Sequence, residues 1–141
     1  MYDAILVATD GSDAAMDATE HAIELATRFD ASLSGIAVVE TRTAYDNAIV
    51  DPDEAERALR EQAEESIEAV ESAASDAGIP VETTIRSGVP HEEIVAYASE
   101  RDVDVIVVGA EGRSNLRRAL LGSTVDGVVR FADRPVLVVG T

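Results

Sequence analysis

A chain of 141 residues that is 46% hydrophobic but only 4% aromatic has the length of one compact domain, residues 1–141, with a core of Val, Ile, Leu and Ala. Without cysteine it has no disulfide, zinc–thiolate site or thiol nucleophile. Its 28 acidic residues against 11 arginines and no lysine give a formal charge of −17, which repels nucleic-acid backbones and anionic lipid and excludes both as expected partners.

Ala4-Ile5-Leu6-Val7-Ala8 is an unbroken apolar run ending at Thr9-Asp10-Gly11-Ser12, the pattern of a strand buried on both faces and then a loop. Ser12 can cap the helix that follows, whose apolar positions Ala15, Ala18, Ala22, Leu25, Ala26 and Phe29 keep helical spacing. Leu33 to Val39 is a second strand, and Thr41 to Val50 has no clear period and reads as a loop. Asp51-Pro52 opens a helix with the stripe Ala55, Leu59, Ala63, Ile67, Val70, Ala74 and Ala77, which Gly78 can close in a left-handed cap. Glu61, Glu64, Glu65, Glu68 and Glu71 form its solvated face. Val81 to Ile85 alternates like a half-exposed strand, and Pro90 starts a short helix carrying Ile94, Val95 and Ala98. Val103 to Val108 is a strand, Gly109 to Leu121 a loop, Ser123 to Ala132 the last helix and Pro135 to Val139 the final strand.

Strands alternating with helices predict an α/β fold, a single doubly wound, five-stranded, mostly parallel sheet with helices on both faces. No apolar run is long enough to span a membrane, and Met1-Tyr2-Asp3 lacks the basic segment of a signal peptide, so the cytoplasm is the expected location. The acidity looks like a halophilic adaptation to high salt, where screening removes most of the self-repulsion; the alternative is an acidic protein from an arginine-rich, high-GC genome. It is unevenly spread: residues 1–104 hold 25 acids and 6 arginines, residues 105–141 only 3 acids and 5 arginines. A segment spared the acidic bias is a pointer to an anion site.

Ligands of such sheets bind beyond the carboxyl ends of the strands, where strand order reverses. Two strand ends stand out, Ala8-Thr9-Asp10-Gly11-Ser12 and Gly109-Ala110-Glu111-Gly112-Arg113-Ser114-Asn115. Gly109 lets a ligand approach the backbone, and Gly112 can turn amide groups inward as an anion nest. Arg113, Ser114 and Asn115 add side-chain donors. Gly122-Ser123-Thr124 then precedes a helix, whose N-terminus suits phosphate; Ser123 could also serve only as the helix cap.

The spacing Gly109-x2-Gly112-x9-Gly122-Ser123 resembles the ATP-binding branch of the universal stress protein family. Ile5 to Ser12 is similar to that family's N-terminal signature and Arg134 to Val139 to its closing strand, so the resemblance spans nearly the whole chain. It implies an adenine nucleotide α-hydrolase-like fold with Ala8 and Asp10 beside adenosine, Asp10 accepting from the ribose, and Val38 beside the adenine. Gly109, Gly112, Arg113, Ser114, Asn115, Gly122, Ser123, Thr124 and Val125 would hold ribose and phosphates. ATP, or ADP or AMP, with Mg²⁺ or Mn²⁺, is the implied cofactor, with the metal ligands unknown. The final strand would pair with its copy in a homodimer.

Glu111 departs from the family's common pattern, where His or another neutral or basic residue is frequent, and its charge opposes phosphate. His21 and His91 have no partners at metal-ligand spacing. Asp10 is not a phospho-acceptor of the receiver-domain kind, which needs an acidic pair and a lysine. Asp10 is the single carboxylate expected near the nucleotide, better placed for ribose than for attacking water. The sequence therefore predicts a regulatory or stress-response module working through nucleotide-dependent partner contacts or assembly. The alternative is a slow ATP-hydrolysing or nucleotidyl-transferring enzyme on the same scaffold.

Overall fold

The computed structural model describes residues 2–40, 52–110 and 122–140. Nine elements alternate along them: β1 (Ala4–Ala8), α1 (Asp13–Phe29), β2 (Ser32–Glu40), α2 (Pro52–Asp76), β3 (Glu82–Gly88), α3 (Pro90–Arg101), β4 (Val105–Gly109), α4 (Ser123–Phe131) and β5 (Val136–Val139). The strands form one sheet in the order β3-β2-β1-β4-β5, and every pairing is parallel. Order reverses between β1 and β4, so the doubly wound fold predicted from the element pattern is the one observed. The predicted loop 41–50 and the cap Asp51 lie outside the described residues.

Alternation along the strands feeds two cores. Ile5, Val7, Val105 and Val107 pack with Ala18, Ala22 and Ala26 of α1 and Val70 and Ala74 of α2. Leu6, Ile36, Ile106 and Val108 pack on the other face with Ile94, Tyr97 and Ala98 of α3 and Val125 and Val128 of α4. The small alanines let the helices approach closely, which is how a core almost without aromatic rings becomes dense.

The predicted caps are present at three helices. Ser12 Oγ accepts from Ala15 N at 3.2 Å, Pro90 occupies the start of α3, and Gly78 closes the end of α2 at φ 75°. Asp104 secures the first strand from across the sheet: its carboxylate accepts from Asp3 N at 2.7 Å and Ala4 N at 2.9 Å. These two backbone donors hold its carboxyl below the ordinary range. Arg134 bridges elements in a similar way, donating to Ala98 O and Val103 O at 3.1 and 2.9 Å.

β3 continues three residues beyond the predicted Val81 to Ile85 alternation. Arg86 extends it, held by a forked pair of bonds to Glu100 of α3 at 2.9 and 2.6 Å and lying 4.8 Å over the Tyr97 ring. Tertiary partners on α3, invisible in a local pattern, keep this polar stretch extended.

Candidate nucleotide site

The carboxyl ends of β1, β2 and β4 open into a cavity of about 290 Å³, closed on one side by α2 and on the other by α3 and α4. It lies at the switch point, where two neighbouring crossovers leave the sheet in opposite directions and cannot fill the gap. Of the expected site residues, Ala8, Asp10, Val38, Gly109, Gly122, Ser123, Thr124 and Val125 border this cavity. Gly112, Arg113, Ser114 and Asn115, with Glu111, lie outside the described residues. The chain departs and returns beside the cavity: Gly122 N donates to Ala110 O at 3.3 Å.

The loop after β1 is organised by its own side chains. Thr9 N donates to Ile36 O at 2.9 Å, Thr9 Oγ1 accepts from Gly11 N, and Asp10 Oδ1 accepts from Ser12 N at 2.9 Å. Gly11, at φ 81°, makes the reversal that sends the chain into α1. The Thr9 bond also fixes a polarity on β2. Main-chain groups of a strand point alternately to its two neighbours, so Val38, two residues beyond Ile36, aims its N–H and C=O toward the β1 side. The β1–β2 register stops at Ala8 opposite Ile36. Val38 therefore offers a donor and an acceptor past the end of β1, at the cavity.

At the opposite end α4 begins differently from the sequence reading. The cap residue is Gly122 (φ −62°, ψ 155°), with no side-chain bond to the first turn, and Ser123 is the first helical residue. Ser123 is thus not the cap, because the turn already closes one residue earlier through Asp126 N to Gly122 O at 2.9 Å. The amides of Ser123, Thr124 and Val125 precede the first intrahelical donor, so a helix N-terminus with no side-chain cap borders the cavity.

Gly109 has a reason the sequence did not give. A Cβ there would sit 2.6 Å from the carbonyl carbon and oxygen of Ala14, so the end of β4 is pressed against the first turn of α1. Its glycine is required by strand-to-helix packing. His91 is accounted for similarly: it lies over Gly127, where a Cβ would come within 2.4 Å of its ring, and stacks on Phe131 at 5.6 Å. His21 is exposed and sits 3.3 Å from Asp17 O. No group of three or more potential metal ligands occurs among the described residues.

Several lining residues escaped the sequence reading. Glu40 ends β2 at the cavity, so Asp10 is not the single carboxylate near it. From α2 come Leu59, Gln62, Ala63 and Ser66, spaced at i, i+3, i+4 and i+7 and hence on one helix face. Leu59 and Ala63 were legible as core; Gln62 and Ser66 flank that stripe and look like solvated positions. Their offset by one residue from Ala63 and Ile67 is the signal that was available. No arginine or histidine is found on the described lining, so its positive potential comes from the α4 amides.

Comparison with known proteins places this geometry in a context. The model of the universal stress protein family matches residues 1–140. Universal stress protein MJ0531 of Methanocaldococcus jannaschii is 36% identical over 140 residues, covering 99% of this chain and 82% of its own. The solved structure of MJ0577, from the same organism, superposes with a TM-score of 0.86 at 33% identity, covering 100% of this chain and 97% of that one. A universal stress protein solved in complex with cAMP superposes with a TM-score of 0.70 at 27% identity, covering 98% and 97% of the two chains.

Proposed function

The chain belongs to the universal stress protein family, and we propose that it is an ATP-binding member acting as a regulatory or stress-response module through nucleotide-dependent partner contacts or assembly. The observation that carries the reading is the cavity's polarity. A helix N-terminus without a side-chain cap borders the cavity at α4, and Leu59 and Ala63 of α2 give it an apolar surface beside the polar Gln62 and Ser66, with Val38 main-chain groups past the end of β1. Phosphates favour the first and a purine ring the second. The cAMP complex of a relative supports an adenine nucleotide as the class of ligand.

In this reading Asp10 accepts from the ribose, Ala8 and Val38 contact the nucleoside, and Gly109, Gly122, Ser123, Thr124 and Val125 receive ribose and phosphates. Gly112, Arg113, Ser114 and Asn115 complete the cradle from the segment between Ala110 and Gly122. Mg²⁺ or Mn²⁺ would be held mainly by phosphate oxygens and water, as such ions usually are. With carboxylates only from Asp10 and Glu40 on the described lining, the residues present fit that mode. The ion would neutralise phosphate charge beside an otherwise acidic protein.

We also read β5 as a homodimer edge. Among the described residues it is the outermost strand, its residues Val136–Val139 are all apolar, and its far side pairs with no other described strand. Such an edge is a template for a second strand. Mass spectrometry of nucleotide released from purified, denatured protein tests the ligand. An adenine nucleotide in the wild type, lost in Gly112→Val, is expected. Equal release from the variant would count against the cradle.

A further inference from the structure

We infer that His91 is a positioning residue: wedged between α3 and α4, its ring sets where the α4 N-terminus stands and so how well its amides meet phosphate. This rests on the nucleotide reading above, in which the amides of Ser123, Thr124 and Val125 receive phosphate. His91 lies behind the cavity wall rather than on it.

The helix α4 has only nine residues, and among the described residues its most extensive packing on another element is against α3. Gly127 and His91 form the closest part of that packing. A Cβ at Gly127 would strike Cγ of His91 and come within 2.7 Å of its Cβ and 2.8 Å of its Cδ2, so the imidazole rests directly on the α4 backbone. The same ring stacks on Phe131, with centroids 5.6 Å apart and planes 21° from parallel. Gly127 and Phe131 are four residues apart on one helix face, so a single flat side chain spans a full turn of α4. Phe131 is 61% exposed, and core burial does not account for its place; the contact with His91 does.

Both partners of this contact stand next to the cavity. Pro90 and Ile94, the residue before His91 and the one a turn after it, line the cavity, as do Ser123, Thr124 and Val125. Gly127 is four residues beyond Ser123, about 6 Å along the helix axis. Over one turn a helix moves as a rod, so a shift at Gly127 is carried to the first-turn amides. Their hold on an anion depends on hydrogen-bond distance, and the attraction of a helix end fades within a turn. Removing the imidazole opens a gap between α3 and α4, and a Cβ at Gly127 drives them apart. Either change displaces the α4 amides relative to Ala8 and Asp10, which receive the nucleoside in the same reading.

Calorimetric titration of the full chain with ATP and, separately, adenosine tests this. His91→Ala and Gly127→Ala are each expected to weaken ATP binding about tenfold, the value of one amide–phosphate hydrogen bond, with adenosine affinity unchanged. Gly127→Ala raises intrinsic helix propensity, so its loss would not come from a frayed α4. His91→Phe returns a flat ring to Gly127 and should bind ATP within about threefold of wild type. Adenosine binding verifies an intact cavity in each variant, and the two His91 variants decide the matter should Gly127→Ala not fold. Wild-type ATP affinity in His91→Ala, an equal loss of ATP and adenosine, or a His91→Phe protein as weak as His91→Ala overturns the inference. A wild type that binds adenosine as tightly as ATP also overturns it, by removing α4 from the phosphate site while leaving a nucleoside site standing. Failure of the wild type to bind either ligand removes the nucleotide reading itself.

Discussion

Gly109→Ala adds one carbon at the point where β4 meets α1. The new Cβ would lie 2.6 Å from both the carbonyl carbon and oxygen of Ala14 and 2.9 Å from its Cβ. Ordinary carbon contacts begin at about 3.5 Å, so strand and helix must separate by roughly 1 Å. The obstacle is mostly backbone, which no rotamer change can clear. A cost of about 3 kcal/mol, at the upper end of ordinary overpacking, follows. For a chain of this length each kcal/mol lowers Tm by about 3 °C, so a fall of about 10 °C is expected. Thermal denaturation followed by circular dichroism measures it. Gly140→Ala, where a Cβ meets nothing within 4 Å, is the control and should melt within about 1 °C of wild type. A Gly109→Ala protein as stable as the control would refute the packing argument. Were it also to lose nucleotide, the glycine would be needed for ligand approach after all.

Other consequences are independent of that contact. Ser12→Ala removes the cap of α1 and should cost about 1 kcal/mol, a Tm loss of about 3 °C. Asp104→Asn removes a carboxylate whose folded pKa lies below its unfolded value; that stabilisation is present above the unfolded pKa and lost as pH falls through the folded one. The variant should therefore be less stable than wild type at pH 7, and the gap between their melting curves should narrow as acid is added below about pH 4. Val138→Pro removes an N–H on the side of β5 away from β4, since Pro135 and Val139 carbonyls accept from Ile106 and Ala110 on the inner side. Light scattering should then show a monomer where the wild type is a dimer; a dimeric variant would contradict pairing through this strand. With a formal charge of −17, Tm should rise between about 0.1 and 2 M KCl, and a flat or falling curve would argue against self-repulsion as a destabilising force.

The sheet was legible because its strands are short apolar runs closed by turn residues: Ala4 to Ala8 and Pro135 to Val139 leave few other assignments. The α2 stripe and its Gly78 closure were legible for the same reason, being local. What depended on distant partners was not. Arg86 to Gly88 are polar yet extended, because Glu100 and Tyr97 of α3 hold Arg86 in place. Ser123 looked like a cap because a hydroxyl before an apolar run usually is one, but Gly122 closes the turn first. Of the spaced glycines, Gly109 and Gly122 do border the cavity. The α2 wall was missed because Gln62 and Ser66 stand in a run rich in exposed glutamates, and only the approach of α2 to β2 reveals which polar residues face inward. Gly109 was recognised as special for an incomplete reason, since the backbone it admits belongs to Ala14.

A crystal structure grown with ATP and Mg²⁺ in excess tests the central claim most directly. Density for the phosphates against the amides of Ser123, Thr124 and Val125, with the base between Val38 and α2, is the expected result. A cavity left empty at saturating nucleotide, or nucleotide bound elsewhere on the chain, would contradict the account.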